Sequence, residues 1–305
     1  MLITILNILI LFIAPFILLG ILKKTKAFWA GRKGVSIFQP LWDFIRLMKK
    51  DAVYSTTTSW VFKFAPIASF SAIIFASFFV PLATGKAIIN VPFAFIIFAY
   101  TLGFGKFFSI ISALDTGSSF EGMGASREAC FSTIVEPAFF IMMASIIALS
   151  QNYTFESIKL ILKNAGVYGV LIIILAAVTL FIMLLVENCR VPVDDPTTHL
   201  ELTMIHEVMI LDNSGPDLGL ITWGAAIKMF LFEALIANLI LPLGESTLWN
   251  ILLFLAIVAL ISFIIGTVES AIARFRMTHV FEFIFIMTLT ALLILALVTY
   301  RLYGN

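Results

Sequence analysis

Long apolar runs separated by short polar connections fill this 305-residue chain. A bilayer core of about 30 Å needs roughly 20 apolar residues per helix. Eight runs reach that length, and they lie near residues 2–22, 61–83, 88–114, 127–149, 166–186, 221–243, 248–268 and 280–300. The pattern predicts an all-α polytopic membrane protein with eight transmembrane helices, in a single transmembrane domain over residues 1–305.

The composition agrees with that prediction. Hydrophobic residues make up 61% of the chain and charged residues only 12%, whereas soluble domains carry about 25% charged residues. No basic residue precedes the first run, which is also long enough to span, so we expect a retained anchor and not a cleaved signal peptide. We expect the lipid bilayer, and no nucleic acid, to be a binding partner.

The basic residues lie mostly in alternate connections. With eight crossings, the odd connections share one side of the membrane. These connections hold Lys23, Lys24, Lys26, Arg32, Lys33, Arg46, Lys49, Lys50, Arg127, Arg190, Arg274 and Arg276, with Lys63 at their edge, against Lys86, Lys159 and Lys163 in the even ones. Because cytoplasmic loops are enriched in Lys and Arg, we expect the odd connections in the cytoplasm and both termini outside.

Two odd connections have amphipathic patterns. In the first, GRKGVSIFQPLWDFIRLMKK, apolar residues at helical spacing alternate with charges, which predicts a helix lying in the membrane interface. In the fifth, Asp195 and Pro196 predict a helix start, and Ser214, Gly215 and Pro216 predict its stop. Apolar residues recur between them at Leu200, Met204, Ile205, Val208 and Met209. They predict a short amphipathic surface helix; a solvated loop is the alternative.

Charge is concentrated around the fifth connection. Residues 186–217 hold seven of the eighteen acidic residues and two of the three histidines, His199 and His206. These histidines are seven positions apart, too far for the i, i+4 clasp of a helical zinc site. We therefore predict polar surface histidines and no metal site.

Four charges fall inside predicted spans: Lys106, Glu136, Lys228 and Glu233. A charge at the bilayer centre is costly and usually faces a polar interior or a water path. We interpret Glu136, Glu187 and Glu233 as stepping stones for protons or ions from the bilayer interior to the fifth connection. The alternative is that Lys106 and Lys228 neutralise two of these glutamates as structural ion pairs.

Catalytic signatures are missing from the sequence. It contains no phosphate-binding glycine loop, no nucleophile elbow and no clustered Cys or His ligands. Cys130 and Cys189 lie far apart and form no C-x-x-C pair. Whether the assembled protein is an enzyme stays open, but we expect this chain to be a non-catalytic subunit of an oxidoreductase complex, with no cofactor of its own.

Several motifs resemble one family. ENCRVPVD, from Glu187 to Asp194, is similar to its E-T-N-R-x-P-F-D pattern, and the first connection is similar to its R-x-G…L-Q-P-x-x-D-x-x-K-L-x-K loop. ASREACFSTIVEP places Glu136 at the family's acidic position, and ARFRM resembles the segment before the last span. The chain resembles the membrane subunit that anchors the soluble arm in complex I, where it is called subunit one, and in membrane-bound nickel-iron hydrogenases. LDTGSSFEGMGASRE, Lys106 and ELTMIHEVMILDNSG are similar to the formate hydrogenlyase branch, and the glycine- and tyrosine-rich E-Y-S-G loop of the complex I branch is missing.

The resemblance implies a membrane protein of the cytoplasmic (inner) membrane of a prokaryote that docks a soluble redox module and links electron transfer to proton or sodium translocation. Its partners would be hydrogenase large and small subunits and antiporter-like membrane subunits. Iron-sulfur clusters, and a nickel-iron centre, would sit in those partners. The alternatives are a quinone-chamber subunit of a respiratory NADH dehydrogenase and a stand-alone ion transporter.

The resemblance also assigns residues. By the resemblance, the ion-path and coupling residues would be Glu136, Glu187, Arg190, Asp194 and Glu201, and the argument from charges inside the spans adds Glu233, Lys106 and Lys228. The partner-docking residues would be Arg32, Gln39, Asp43, Arg46, Arg127, Arg274 and Arg276. The sequence departs from the family pattern at Asp195, Thr197, Thr198 and His199.

Overall fold

The computed structural model describes residues 2–155, 158, 166–195, 204–241 and 247–303, and these residues form a helical bundle. The helices are α1 Leu2–Trp29, α2 Gln39–Met48, α3 Trp60–Ser77, α4 Ala94–Asp115, α5 Ser119–Ser150, α6 Gly166–Glu187, α7 His206–Met209, α8 Gly215–Ile240, α9 Thr247–Ala271 and α10 Met277–Tyr303. Within the described residues, every helix except α2 and α7 is long and apolar enough to cross a membrane. The prediction of an all-α protein with eight spans is confirmed.

The odd connections meet at one end of the bundle, which we call the charged end. Four contacts join them: Val53 N–H to Ser214 Oγ at 2.9 Å, Tyr54 Oη–H to Asp217 at 2.8 Å, Lys26 to Glu269 at 2.9 Å, and Arg274 to Asp194 at 3.1 Å. The even connections approach one another at the opposite end, where the Phe93 N–H donates to the Tyr153 carbonyl at 2.7 Å. Helices therefore run alternately toward and away from the charged end.

Helix α2 is the interfacial helix that the first connection predicted. Its proline, Pro40, lies in the first turn, where a missing N–H leaves no hydrogen bond unmade. Phe44 projects from α2 into an aromatic cluster with Phe16 of α1, Phe70 of α3 and Trp223 of α8; the Phe44 and Trp223 ring centroids are 4.8 Å apart. Helix α2 is thereby packed against α1 and α8 at the charged end.

Helix α5 begins earlier than the apolar pattern predicted, at Ser119 and not near 127. Its 32 residues correspond to a length of about 48 Å, well beyond a hydrocarbon core of about 30 Å. Because the polar first turns carry Glu121 and Arg127, a search for apolar residues alone does not find them. The helix also continues through Pro137 to Ser150.

The predicted helix stop at Ser214, Gly215 and Pro216 is wrong, because these residues begin α8. Ser214 is its N-cap and Pro216 lies in its first turn, where proline is tolerated. A side chain at Gly215 would meet the Asp51 carbonyl oxygen at 2.6 Å, so the first connection passes directly over this turn. Serine, glycine and proline occur at both ends of helices, so tertiary contacts decide whether such a segment begins a helix or ends one.

The predicted surface helix of the fifth connection is also corrected in part. Residues 196–203, which include Leu200, His199, Thr197, Thr198 and Glu201, lie outside the described residues. The described part contains only the single turn α7, and its apolar side chains are buried: Met204, Ile205, Val208 and Met209 are at most 2% exposed. This segment is packed into the bundle because Gly124 of α5 leaves room for it: an added Cβ there would lie 2.4 Å from a Val208 methyl group.

Candidate functional site

Lys106 lies at the centre of the candidate site, about 14 Å inside the charged end of α4. Its Nζ is 2.8 Å and 3.0 Å from the two carboxylate oxygens of Glu187, the last residue of α6. It also donates to Ser132 of α5 at 2.6 Å and lies 3.5 Å from the carboxylate of Glu128. Three helices therefore converge on one ammonium group.

Lys228 reaches the same glutamate from α8. Its Nζ donates a hydrogen bond to the Glu187 backbone carbonyl and lies 3.7 Å from the Glu187 carboxylate. We call Lys106, Lys228, Glu128 and Glu187 the Lys/Glu cluster. With all four groups ionised, their formal charges cancel, which is how a protein keeps charges within a bilayer.

A cavity of about 60 Å³ opens beside this cluster. All four cluster residues line it, together with polar groups of Ser109, Asn188 and His206. The rest of the lining is mostly apolar, but a cavity of that size with these polar groups can hold a few water molecules. We call it the main cavity.

A second cavity of about 20 Å³ lies deeper and brings Glu136 to the cluster. Lys106 and Glu187 line it with Glu136, Gly103 and several apolar side chains. Glu128, Ser132 and Glu136 are spaced four residues apart and so share one face of α5. We call this the inner cavity; it links Glu136 to the main cavity through the Lys106 and Glu187 side chains.

Glu233 stands apart from both cavities. It is fully buried, and Ser262 of α9 donates a hydrogen bond to its Oε1 at 2.7 Å. It forms no ion pair with any residue that the structure describes. The structure thus brings together Glu136 and Glu187 of the three predicted stepping stones and leaves Glu233 in a separate contact.

The ion pairs of the alternative interpretation do form, but Lys106 and Lys228 both pair with Glu187 and not with two of the three predicted glutamates. Across residues 2–155, 166–195, 204–241 and 247–303, Lys106 and Lys228 form their ion pairs with Glu187 and Glu128, and a further lysine pair, Lys26 with Glu269, lies at the charged end. Sequence reasoning missed Glu128. Glu128, Ser132 and Glu136 are spaced four residues apart, and this helical spacing is the signal from which Glu128 could have been predicted.

Arg190 and Asp194 join the connections at the charged end. Arg190 lies 3.5 Å from Glu269 of α9, which also pairs with Lys26 of α1 at 2.9 Å. Asp194 is 1% exposed, and burial raises the pKa of its carboxyl. It accepts the Ile205 N–H at 2.8 Å and pairs with Arg274 at 3.1 Å. These contacts fix the ends of the fifth and seventh connections.

The residues predicted to dock a partner fall into two groups. Arg32, Arg46 and Arg276 are exposed at the charged end, and Gln39 donates to Asp43 at 2.7 Å along α2. Arg127 and Arg274 instead bind within the chain, Arg127 donating to the Met204 carbonyl at 2.9 Å and Arg274 pairing with Asp194. The exposed members and α2 form one surface at the charged end.

His206 is a site residue that the sequence did not identify. It was predicted to be a polar surface histidine, yet it is partly buried and lines the main cavity. Burial, followed by the positive charge of Lys228, lowers the pKa of His206 to about 4. Within the described residues no group of three or more His, Cys, Asp or Glu side chains is arranged to hold a metal ion.

Comparison with known proteins adds relatives that cover most of the chain. A family model described as NADH dehydrogenase matches residues 1–300. Formate hydrogenlyase subunit 4 of Escherichia coli (strain K12) is 24% identical over 276 residues, which cover 88% of this chain and 89% of that protein. Hydrogenase-4 component C of the same organism is 28% identical over 268 residues, covering 84% and 82%.

A solved structure has the same fold. A chain in the structure of the membrane-bound sulfane sulfur reductase, an archaeal respiratory membrane complex, superposes with a TM-score of 0.82 over 96% of this chain and 97% of that chain. Its sequence identity of 19% means that the likeness concerns the fold alone. The family match spans nearly the whole sequence, and the chain therefore belongs to the NADH dehydrogenase subunit 1 family.

Proposed function

We propose that this chain anchors the soluble redox module of a membrane-bound hydrogenase or formate hydrogenlyase-like complex and links electron transfer to proton or sodium translocation. The Lys/Glu cluster carries the proposal, because it places four ionisable groups inside the spans, close to the charged end. The names of the two curated relatives support the hydrogenase assignment.

The charged end faces the cytoplasm of a prokaryotic cell in this proposal, with both termini outside, because most of the Lys and Arg residues lie there. The surface formed by α2, Arg32, Arg46 and Arg276 then docks the soluble partner. Hydrogenase large and small subunits bind on this side. Antiporter-like membrane subunits extend the ion path within the membrane.

The redox centres belong to the partners. Electron transfer in such a complex requires iron-sulfur clusters, and hydrogen chemistry requires a nickel-iron centre. This chain contributes the buried charges that respond to a reduced centre above them. It has no catalytic step of its own in the proposal.

The geometry of Lys106 suits a coupling element. Its Nζ lies 2.8 Å from Glu187 and 3.5 Å from Glu128, so a small side-chain movement changes which carboxylate it neutralises. Lys228 remains beside Glu187 and keeps that carboxylate paired during the movement. A charge change at the charged end would bias Lys106 between two positions, which is the two-state behaviour that coupling requires.

The main cavity favours an ion over a quinone as the species that passes. Sites for small molecules usually measure about 300–1,000 Å³, and the main cavity measures about 60 Å³. A larger apolar groove between α3 and α4 is lined by exposed aromatic residues such as Tyr100 and Phe104, and so faces the lipid.

The first experiment is purification of the chain with its partners. The chain is tagged at its C-terminus in its own host, extracted in mild detergent, and its co-purifying proteins are identified while hydrogen evolution is assayed. Hydrogenase subunits and hydrogen evolution are the expected result. A quinone-reducing assembly would favour the NADH dehydrogenase alternative, and a chain that purifies alone and transports ions would favour the transporter.

Coupling is tested in the assembled complex with Glu187→Gln and Arg190→Ala, both normalised to the amount of complex. Each variant is expected to lower ion translocation per electron transferred or to halt turnover. Glu282→Gln is the matched control, because Glu282 is exposed and lies in α10 away from the cluster. Unchanged turnover and translocation in both test variants would contradict the coupling role.

A further inference from the structure

His206 lies where the Lys/Glu cluster meets the charged end. It begins α7, is partly buried, and lines the main cavity together with Lys106, Glu128, Glu187 and Lys228. Among the titratable side chains that line this cavity in the described residues, His206 lies in the fifth connection, whereas Lys106, Glu128, Glu187 and Lys228 lie in membrane-spanning helices.

Contacts on both sides of His206 hold its backbone in place and leave the ring free to rotate. The Asp194 carboxylate accepts the Ile205 N–H at 2.8 Å, and Arg127 donates to the Met204 carbonyl at 2.9 Å. The residues after His206 pack on Gly124, whose missing side chain admits Val208. Contacts from α5 and from the fifth connection thus fix the position of His206, which is not expected for a histidine on a solvated surface.

The charges around His206 favour its neutral form. It faces Lys106 from α4, Glu128 from α5, Glu187 and Arg190 from the end of α6 and beyond, and Lys228 from α8. Burial and the positive charges of Lys228, Arg190 and Lys106 lower its pKa to about 4, against the opposing effect of Glu128. A neutral imidazole accepts a proton at one ring nitrogen and donates one from the other.

The cluster is unsuited to a metal cation. Both carboxylate oxygens of Glu187 accept hydrogen bonds from Lys106, and Lys228 lies beside them. A sodium ion prefers oxygen ligands that are not already bound to a cation, and two nearby ammonium groups repel it. A proton needs no coordination shell and can move along hydrogen bonds through water and carboxylates.

We propose that His206 is the proton-exchange residue at the charged end of the passage, so that the ion entering the Lys/Glu cluster is a proton. This inference rests on the proposed coupling function. The ring receives a proton from the charged end on one nitrogen and passes its other ring proton to the cavity, toward Glu128 or Glu187. Rotation of the ring restores the starting tautomer, with no electron transferred and no net charge left on the histidine.

The test compares His206→Gln with His279→Gln in the purified complex, reconstituted in vesicles with a pH-sensitive dye. His279 is the control because it is exposed and contacts Glu282 on α10. His206→Gln is expected to slow proton translocation by about a hundredfold, the lower end of the range that a positioned proton-transfer group contributes. Added imidazole should restore part of the rate, and His279→Gln should behave as the unmodified complex does.

A second measurement does not depend on the folding of a variant. In the unmodified complex, replacing sodium with choline should leave proton translocation unchanged, whereas a requirement for sodium would overturn the inference. Wild-type rates, an unchanged pH profile and no response to imidazole in His206→Gln would overturn it too. If the unmodified complex moved no ion, the proposed function itself would fail; sodium movement without proton movement would remove only the role of His206.

Discussion

Glu187 and Glu233 are both buried glutamates in the spans, but their surroundings differ. Glu187 contacts two lysines and lines two cavities, and His206 of the fifth connection lines the main cavity with it. Glu233 is fully buried between α8 and α9, with one hydrogen bond from Ser262. The comparison teaches that two glutamates with similar burial can be stabilised differently: two lysines compensate the charge of Glu187 beside two cavities, whereas one hydroxyl group contacts Glu233.

The largest expected effect comes from changing each glutamate to glutamine. Glu187→Gln leaves two ammonium groups without their shared counter-charge, and breaking a buried pair costs about 3–5 kcal/mol. Glu233→Gln retains an oxygen that accepts from Ser262 and should cost less than about 1 kcal/mol. Thermal unfolding of the detergent-solubilised chain, followed by size-exclusion chromatography, measures both; equal losses would remove the distinction between the two sites.

A smaller effect is expected from Arg274→Gln. This change unpairs Asp194 and should loosen residues 204–213, the described part of the fifth connection that Asp194 binds. The local loss should be about 1.5–3 kcal/mol, the contribution of a hydrogen bond to a charged group, because Asp194 keeps its hydrogen bond from the Ile205 N–H. In a Cys130→Ser background, maleimide labelling of the buried Cys189, which lies 3.5 Å from Glu128, reports opening. Labelling should become faster, and a cysteine placed at Ser262 should stay unlabelled.

Arg276→Gln is the control for that experiment, since Arg276 is exposed two positions away in the same connection. It should leave the labelling rate of Cys189 unchanged. If both arginine variants increased the labelling rate of Cys189 equally, the pair of Arg274 and Asp194 would not be what holds residues 204–213 in place.

Gly124→Ala should also loosen residues 204–213, but less than Arg274→Gln does. The added methyl group would lie 2.4 Å from Val208 Cγ1 and 2.8 Å from the Ile205 carbonyl oxygen, and overpacking of this kind costs about 1–3 kcal/mol. We expect faster hydrogen exchange in residues 204–213 and a slower proton-transfer rate. Gly122→Ala is the matched control, because its Cβ would meet Leu114 at an ordinary 3.9 Å.

The smallest expected effect is a pH dependence in the opening of residues 204–213. His206 has a pKa of about 4 when packed, against an ordinary pKa of 6.5, so between these values the opened segment binds more protons. Lowering the pH from 6.5 toward 4 therefore favours opening, and no dependence on this group is expected above 6.5. Hydrogen exchange of residues 204–213, corrected for intrinsic rates, should show the trend in the unmodified chain and lose it in His206→Gln.

The sequence predicted the spans well because each apolar run exceeds the length that a bilayer requires. It misplaced ends where tertiary contacts decide, as at Ser119, where a polar turn extends α5, and at Ser214, where α8 begins. Local residue preferences at a helix end do not record which segment packs against it.

Most of the residues of the candidate site could be predicted from the sequence, but their arrangement could not. Lys106, Glu136, Glu187 and Lys228 were recognisable as charges in apolar runs, because such charges are costly. Their convergence on Glu187 depends on the packing of four helices, and no spacing along the chain encodes it. His206 was missed for the same reason, since its seven-residue distance from His199 says nothing about the cavity it lines.

The zero formal charge of the Lys/Glu cluster has a consequence for its response to voltage. Moving one elementary charge through a membrane potential of 100 mV is worth about 2.3 kcal/mol, but two lysines and two glutamates that move together carry no net charge through that field. A displacement of the whole resting cluster is therefore nearly insensitive to the membrane potential, whereas a movement of Lys106 alone is not. Once a proton arrives, the cluster carries one uncompensated charge, and only then does the electric field across the bilayer act on it.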